Sequence, residues 1–329
     1  MLALNIVVWG IGPHAIKNIL PAIKGNENLN LYGILSRNTT VVSEISEEYN
    51  CIPFFNEDEM LSDSNIQIVY VATPTGLHYS QGIKVIESDK HFWSEKPIVL
   101  NSEQAYSLIY KTNEKNLTIA EGFMYLYHPA FYHLKKTLRS NQLGILNNIT
   151  IDFGLPKLSR PGFRNDTNLG GGAIYDLGSY AISAVIELFE NETIEIKYCE
   201  LNFDTNLNID TSGFVLLKIN NSINITLKWM YNVAYRNEII IWGKEGCLLN
   251  KRFFSKPDDY ISEFVFSNMN GNNRIEYVEP SNHFQNMFNV FYDNINDEFE
   301  SKKHQNMVVK RANLLDNLLL TNINTLKEL

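Results

Sequence analysis

Hydrophobic positions in the first third of the chain fall into short β-branched runs separated by amphipathic stretches of helical spacing. That rhythm predicts βαβ units built on a parallel sheet. Strands are expected over 5–9, 29–35, 66–71, 91–94 and 117–120, with helices over 16–23, 41–49, 77–88 and 102–116 between them. Beyond residue 121 the pattern changes. A helix over 129–140 leads into a strand beginning near Ile145, and a loop rich in Gly, Pro and Asn precedes a helix over 173–189. Alternating runs at 194–201, 213–219, 223–229, 238–242 and 246–249 then follow without intervening helices, as in a largely antiparallel sheet. The tail returns to helical spacing over 284–299 and 307–319.

A chain of 329 residues exceeds one ordinary compact core. The change of rhythm places the division at 1–121 and 122–329, an α/β domain followed by an α+β domain with no low-complexity linker between them.

The first strand runs into Gly10-Ile11-Gly12-Pro13-His14-Ala15. A Gly-x-Gly turn between a buried strand and a helix lets the backbone approach a pyrophosphate, whose charge meets the helix N-terminal amides. Ala15 stands at the third position of that fingerprint and is small enough for close helix–strand packing; Pro13 suits a first helical position. The expected fold of the first domain is therefore a Rossmann-type, doubly wound parallel sheet that binds a dinucleotide. An acidic residue at the end of the second strand would bind the ribose 2′-hydroxyl of NAD, whereas an arginine would accept a 2′-phosphate. Here stand Ser36 and Arg37, which favours NADP(H) and leaves NAD(H) as the alternative.

Five further segments, in order, resemble the glucose-fructose oxidoreductase / inositol dehydrogenase / MocA family: Trp9 to Gly12, Ala72 to His78, Glu95-Lys96-Pro97, Glu121 to Tyr125, and Gly170 to Tyr180. The resemblance implies hydride transfer between a nicotinamide and a ketone or secondary alcohol of a sugar or nucleotide-linked sugar, without a metal. It implies that Lys96 is the active-site lysine, followed by a peptide bond that is cis in relatives. It gives Tyr180 as general acid and Asp176 as orienter or substrate ligand. Tyr at 180, where many relatives carry His, resembles the glucose-fructose oxidoreductase, dihydrodiol dehydrogenase and sugar 3-ketoreductase branches and favours reduction. Thr73, Pro74, His78, Glu95 and Lys96 are expected beside the cofactor with Gly10, Gly12, Pro13 and His14, Arg164 beside the cofactor or the substrate, and Tyr125 and Tyr127 near the substrate or in the core. Leu126 departs from the polar or basic residue common there. The second domain is expected to bind substrate and form a homodimer or homotetramer. Alternatives are an NAD-linked sugar or polyol dehydrogenase and a dinucleotide-binding sensor with little turnover.

Composition narrows the partners. With 37 acidic and 28 basic residues the formal charge is −9, against a polyanion such as DNA or RNA. No apolar run is long enough to span a bilayer, and the apolar N-terminus lacks a basic leader and reads as a strand. Cys51, Cys199 and Cys247 are unpaired by spacing, as expected of a reducing, cytoplasmic compartment. No His, Cys and acidic cluster has metal spacing, and there is no Gly-x-Ser-x-Gly elbow.

Overall fold

The computed structural model describes residues 3–328. They divide into two compact units: the chain up to Met124 with Phe284–Ala312, and Tyr125–His283 with the chain from Asn313 onward. The division differs from one cut near residue 121 in its tail, because Phe288 and Phe291 pack edge-to-face against Tyr70 and Trp93 of the first unit.

The first unit holds six parallel strands, β1 (Leu4–Trp9), β2 (Leu29–Leu35), β3 (Ile52–Phe54), β4 (Ile68–Val71), β5 (His91–Ser94) and β6 (Ile119–Glu121). Their order is β3-β2-β1-β4-β5-β6, the doubly wound arrangement, with its topological switch point between β1 and β4. Ile6, Val7, Val8, Ile68, Val69, Tyr70 and Val71 are all fully buried, which explains the unbroken apolar runs of a sheet covered on both faces. The helix after β1 begins with a π turn over Ala15–Ile19 and continues as Leu20–Lys24. The helix Ser102–Glu114 is capped by Asn101, whose side chain accepts the Gln104 amide. β3 escapes the hydrophobic pattern because it is three residues long, carries Pro53 and pairs on one side only, where proline is tolerated.

In the second unit β7 (Leu146–Leu155), β8 (Ile194–Asp204), β9 (Ile209–Ile219), β10 (Ile223–Tyr231), β11 (Arg236–Gly243), β12 (Gly246–Lys251), β13 (Ser262–Asn268) and β14 (Asn273–Val278) form one sheet. The order is β14-β13-β12-β11-β7-β10-β9-β8, antiparallel except for β7 beside β10. β14 has no fully buried position, so the alternation that reveals the inner strands is missing there. Along β10, Ile225, Leu227 and Trp229 are buried while Lys228 and Met230 are exposed, as in a sheet covered on one face. The helix Ser179–Leu188 is buried at every position from Ser179 to Ile186, and the Trp229 indole fills the space that side chains at Gly178 and Gly213 would need. Among the described residues no helix is long and apolar enough to cross a membrane.

Candidate active site

The sheet register of the first unit brings the carboxyl ends of its strands level. Trp9 is paired with Leu35 and Val71, Val71 with Ser94, and Ser94 with Glu121. The loops that follow carry Gly10 and Gly12, Ser36 and Arg37, Thr73 and Pro74, and Glu95 and Lys96, so strand pairing gathers four of the expected segments at the place where open α/β sheets bind ligands. Gly10 has φ 110°, and a Cβ there would lie 2.6 Å from the Ala72 carbonyl carbon, so only glycine fits between β1 and β4. A Cβ on Gly12 would meet nothing within 4 Å, which leaves bare backbone at the helix start. Arg37 is exposed, and Asn38 caps the next helix by accepting the Val41 amide. There is no carboxylate among Ser36, Arg37 and Asn38, so the strand end suits a 2′-phosphate better than a bare ribose.

His14 and Glu95, distant in sequence, meet at 3.0 Å, and the Tyr70 hydroxyl donates to the same Glu95 oxygen at 2.8 Å. Burial alone would push the Glu95 carboxyl up, but the nearby His14, the hydrogen bonds from His14 and Tyr70, and the Lys96 charge hold it down at about 2. Glu95 therefore stays ionised and ties the first helix to the turn that carries Lys96. The Lys96–Pro97 bond is cis. His78 is buried, with Nδ1 2.9 Å from the Pro97 carbonyl and Nε2 2.8 Å from that of Thr73. It lies between the two loops, and its neutral ring, with a single N–H, donates to one of these carbonyls at a time. Burial depresses its pKa against the pull of those two carbonyls.

A buried ion pair fixes the far side of the Lys96 turn. Glu121 accepts the Ile98 amide at 2.9 Å on one oxygen and Arg311 on the other, at 2.8 Å from Nε and 2.7 Å from Nη2. Both side chains are under 10 % exposed. Tyr70 and Arg311 are absent from the sequence-derived site; Glu121 carried a signal, being a charge at the end of an apolar strand run.

The second unit assembles a separate polar cluster. Gly171 donates to the Asp166 carbonyl at 2.8 Å and Gly172 to that of Arg164 at 3.0 Å, which folds the preceding loop onto the glycines. Arg164 consequently reaches Asp176, with Nε 2.6 Å from Oδ2 and Nη2 3.4 Å from Oδ1. Burial opposes the guanidinium charge, but Asp176 outweighs it and raises the Arg164 pKa. Tyr231, at the end of β10, donates to Asp176 Oδ2 at 3.0 Å and lies 3.1 Å from the Gly172 carbonyl. Asp176 sits in a π turn over Ile174–Gly178, and Tyr180 in the regular helix that follows, rather than both on one continuous α-helix. The Tyr180 ring is 8 % exposed and held by Tyr125, Phe153 and Phe254 at 6.0, 5.4 and 5.2 Å. Tyr125 is a fully buried member of that aromatic cluster, its hydroxyl 2.6 Å from Ser183 Oγ, and Tyr127 is also buried. Among the described residues no group of three or more His, Cys, Asp or Glu side chains is placed to hold a metal ion.

Residues 4–123 match the family model described as the oxidoreductase family with NAD-binding Rossmann fold, and residues 131–249 match the Gfo/Idh/MocA C-terminal domain. The chain belongs to the Gfo/Idh/MocA oxidoreductase family. This member is 27 % identical over 256 residues to dTDP-3,4-didehydro-2,6-dideoxy-alpha-D-glucose 3-reductase of Saccharopolyspora spinosa, across 78 % of this chain and 77 % of the relative. It is 28 % identical over 178 residues to D-xylose 1-dehydrogenase (NADP(+)) 2 of Haloferax volcanii, across 53 % of each. The fold of a 3-ketoreductase from Actinomadura kijaniata, solved in complex with NADP and TDP-benzene, superimposes with a TM-score of 0.93 at 22 % identity, covering 97 % of this chain and 98 % of that one.

Proposed function

We propose that this Gfo/Idh/MocA oxidoreductase uses NADPH to reduce a ketone on a nucleotide-linked sugar. The observation that carries the cofactor assignment is the level row of strand ends in the first unit, with a bare Gly10–Gly12 turn beside an exposed Arg37 and no carboxylate at that strand end. The sugar follows from relatives whose names specify dTDP-keto-sugar 3-reduction.

Gly10, Gly12, Pro13 and the following helix start would hold the pyrophosphate, Ser36 and Arg37 the 2′-phosphate, and Thr73 and Pro74 the nicotinamide ribose. NADPH bound there supplies a hydride. Tyr180 donates a proton to the substrate oxygen, Lys96 stabilises the negative charge that grows there, and Asp176 orients a substrate hydroxyl. The aromatic cluster around Tyr180 fixes its ring, and the Glu95, His78 and Glu121 contacts fix the turn that carries Lys96.

The test is NADPH oxidation with dTDP-3,4-didehydro-2,6-dideoxy-alpha-D-glucose, set beside NADH. Lys96→Met and Tyr180→Phe are each expected to lower kcat by about 100-fold or more, and Tyr180→Phe to leave NADPH affinity unchanged. Wild-type turnover in both variants would sink the mechanism. Equal use of NADH would sink the Arg37 assignment and point to the NAD-linked alternative, and cofactor binding without turnover on any keto-sugar to the sensor.

A cytoplasmic homo-oligomer completes the proposal. On the uncovered face of the second sheet Phe214, Met230 and Trp242 are 39, 45 and 63 % exposed, and a cavity of about 420 Å³ opens among Phe214, Met230, Lys228 and Arg236. An exposed apolar face of this kind fits an isologous contact with a second copy. Size-exclusion chromatography with light scattering should give a dimer or tetramer that Trp242→Lys weakens; a monomeric wild type refutes it.

A further inference from the structure

Asp176 is held by two donors from different parts of the second unit. Arg164 comes from the 3-10 turn Gly162–Asn165, and Tyr231 from the last position of β10. Both act on Oδ2, at 2.6 and 3.0 Å. Turning the carboxylate about its last side-chain bond would break both contacts together.

A phenol carries one proton, and two acceptors lie within reach of the Tyr231 hydroxyl: Asp176 Oδ2 and the Gly172 carbonyl. The ionised carboxylate is the stronger acceptor, because a hydrogen bond to a charged oxygen is worth roughly twice a neutral one. Along β10 the residues two, four and six before Tyr231 are the buried Trp229, Leu227 and Ile225, so strand alternation puts Tyr231 on the same side of the sheet. That row supplies apolar core until its final member, which supplies a hydroxyl instead.

We infer that Tyr231 is a positioning residue of the active site, acting through Asp176 to fix the carboxylate in the rotation and the ionised state in which it receives substrate. The inference rests on the reading of Asp176 as a substrate ligand. Burial and the adjacent Asp176 charge both raise the Tyr231 pKa, so the phenol remains a donor across the working pH range. Sequence alone gives no hint of this role: the strand expected over 223–229 stops two residues short of Tyr231.

Two measurements on the full chain test the assignment. In the first, the Asp176 carboxyl carbon is followed by ¹³C NMR titration in wild type and in Tyr231→Phe, with Asp176→Asn identifying the signal. Loss of a hydrogen bond to the charged form should raise the midpoint by about half a pH unit or more. An unchanged midpoint overturns the inference, even in a variant with reduced activity, because the phenol would then serve only the Gly172 carbonyl. This measurement needs no turnover.

In the second, kcat/KM for NADPH-dependent reduction of dTDP-3,4-didehydro-2,6-dideoxy-alpha-D-glucose is measured for Tyr231→Phe, Asp176→Asn and the double variant. The phenol should contribute about 5- to 20-fold when Asp176 is present and less than about twofold when it is Asn. Equal losses in the two backgrounds overturn the inference, since a merely structural tyrosine would cost the same in both. Wild-type activity in Asp176→Asn would instead overturn the role of Asp176, and it is distinguishable because the titration would still show the two side chains coupled.

Discussion

Single residues at the strand ends of the first unit divide into those that face outward and those that hold them in place. Arg37 is exposed and the half-buried Gly12 has open space where a side chain would stand; Glu95, His78, Glu121 and Arg311 act on the protein itself. The last two give the sharpest expectation. Breaking a buried ion pair by removing one partner leaves an uncompensated charge and costs about 3–5 kcal/mol. Arg311→Met should therefore destabilise the protein by that amount in urea unfolding, and because Glu121 also accepts the Ile98 amide two residues after Lys96, it should lower kcat as well. A loss of stability below about 1 kcal/mol, the scale of an exposed pair, would show that the charges are solvated in the native state.

Elements were legible in the sequence where one physical rule dominated them. β1, β2, β4 and β5 stand within two residues of their expected bounds, because a parallel strand covered on both faces must be apolar at nearly every position. The glycines of residues 170–172 were legible as a motif but not in their purpose. Gly172 has φ 115°, and a side chain there would overlap Asp210 Oδ1; a Cβ on Gly171 would lie 2.6 Å from the Arg164 carbonyl oxygen. Asp210 arrives from β9, accepts the Ile174 amide at 2.7 Å and so anchors the start of the segment bearing Asp176 and Tyr180. Burial raises its pKa to about 7 against the pull of the Ile174 amide and other donors. Nothing local to residue 210 reveals this, since its partner is 36 positions away and the contact exists only once β9 and the glycine turn are packed. The same limit hid the contacts that Arg164 and Tyr231 make with Asp176. Spacing identifies residues that share a turn or a helix face; it is silent on pairs made by strand pairing and loop closure.

Over the whole molecule the buried bases set the response to pH. His128, His304 and His91 are pushed down to about 3, 3 and 4, in each case first by burial, with the Lys256 charge adding to the effect on His128 and the Arg311 charge to that on His304. Unfolding restores each to about 6.5, so below that pH the unfolded chain binds more protons than the native one and stability falls as pH falls. Glu95 acts in the same direction: held near 2 when folded, it loses its contribution as the medium drops through the ordinary carboxylate range. Each neutral imidazole removes up to about 1.4 kcal/mol per pH unit below its unfolded value. Lys256 extends the trend upward. Burial lowers it to about 7, its Nζ donating to the Phe253 carbonyl at 2.8 Å, so keeping this lysine costs stability at every pH below its unfolded value of about 10.4. Asp210, raised to about 7, works the other way between about pH 4 and 7, where the native state holds the extra proton. It is one group against three histidines, so the melting temperature should still climb from pH 5 to pH 9 instead of peaking near neutrality. Lys256→Met should raise it at pH 7, and the gain should vanish as the pH approaches the unfolded value of lysine. Scanning calorimetry of both proteins decides the matter: a flat profile between pH 5 and 7 would mean that the histidines are hydrated in the native state, and a gain from Lys256→Met that persists at high pH would assign its effect to packing rather than to charge.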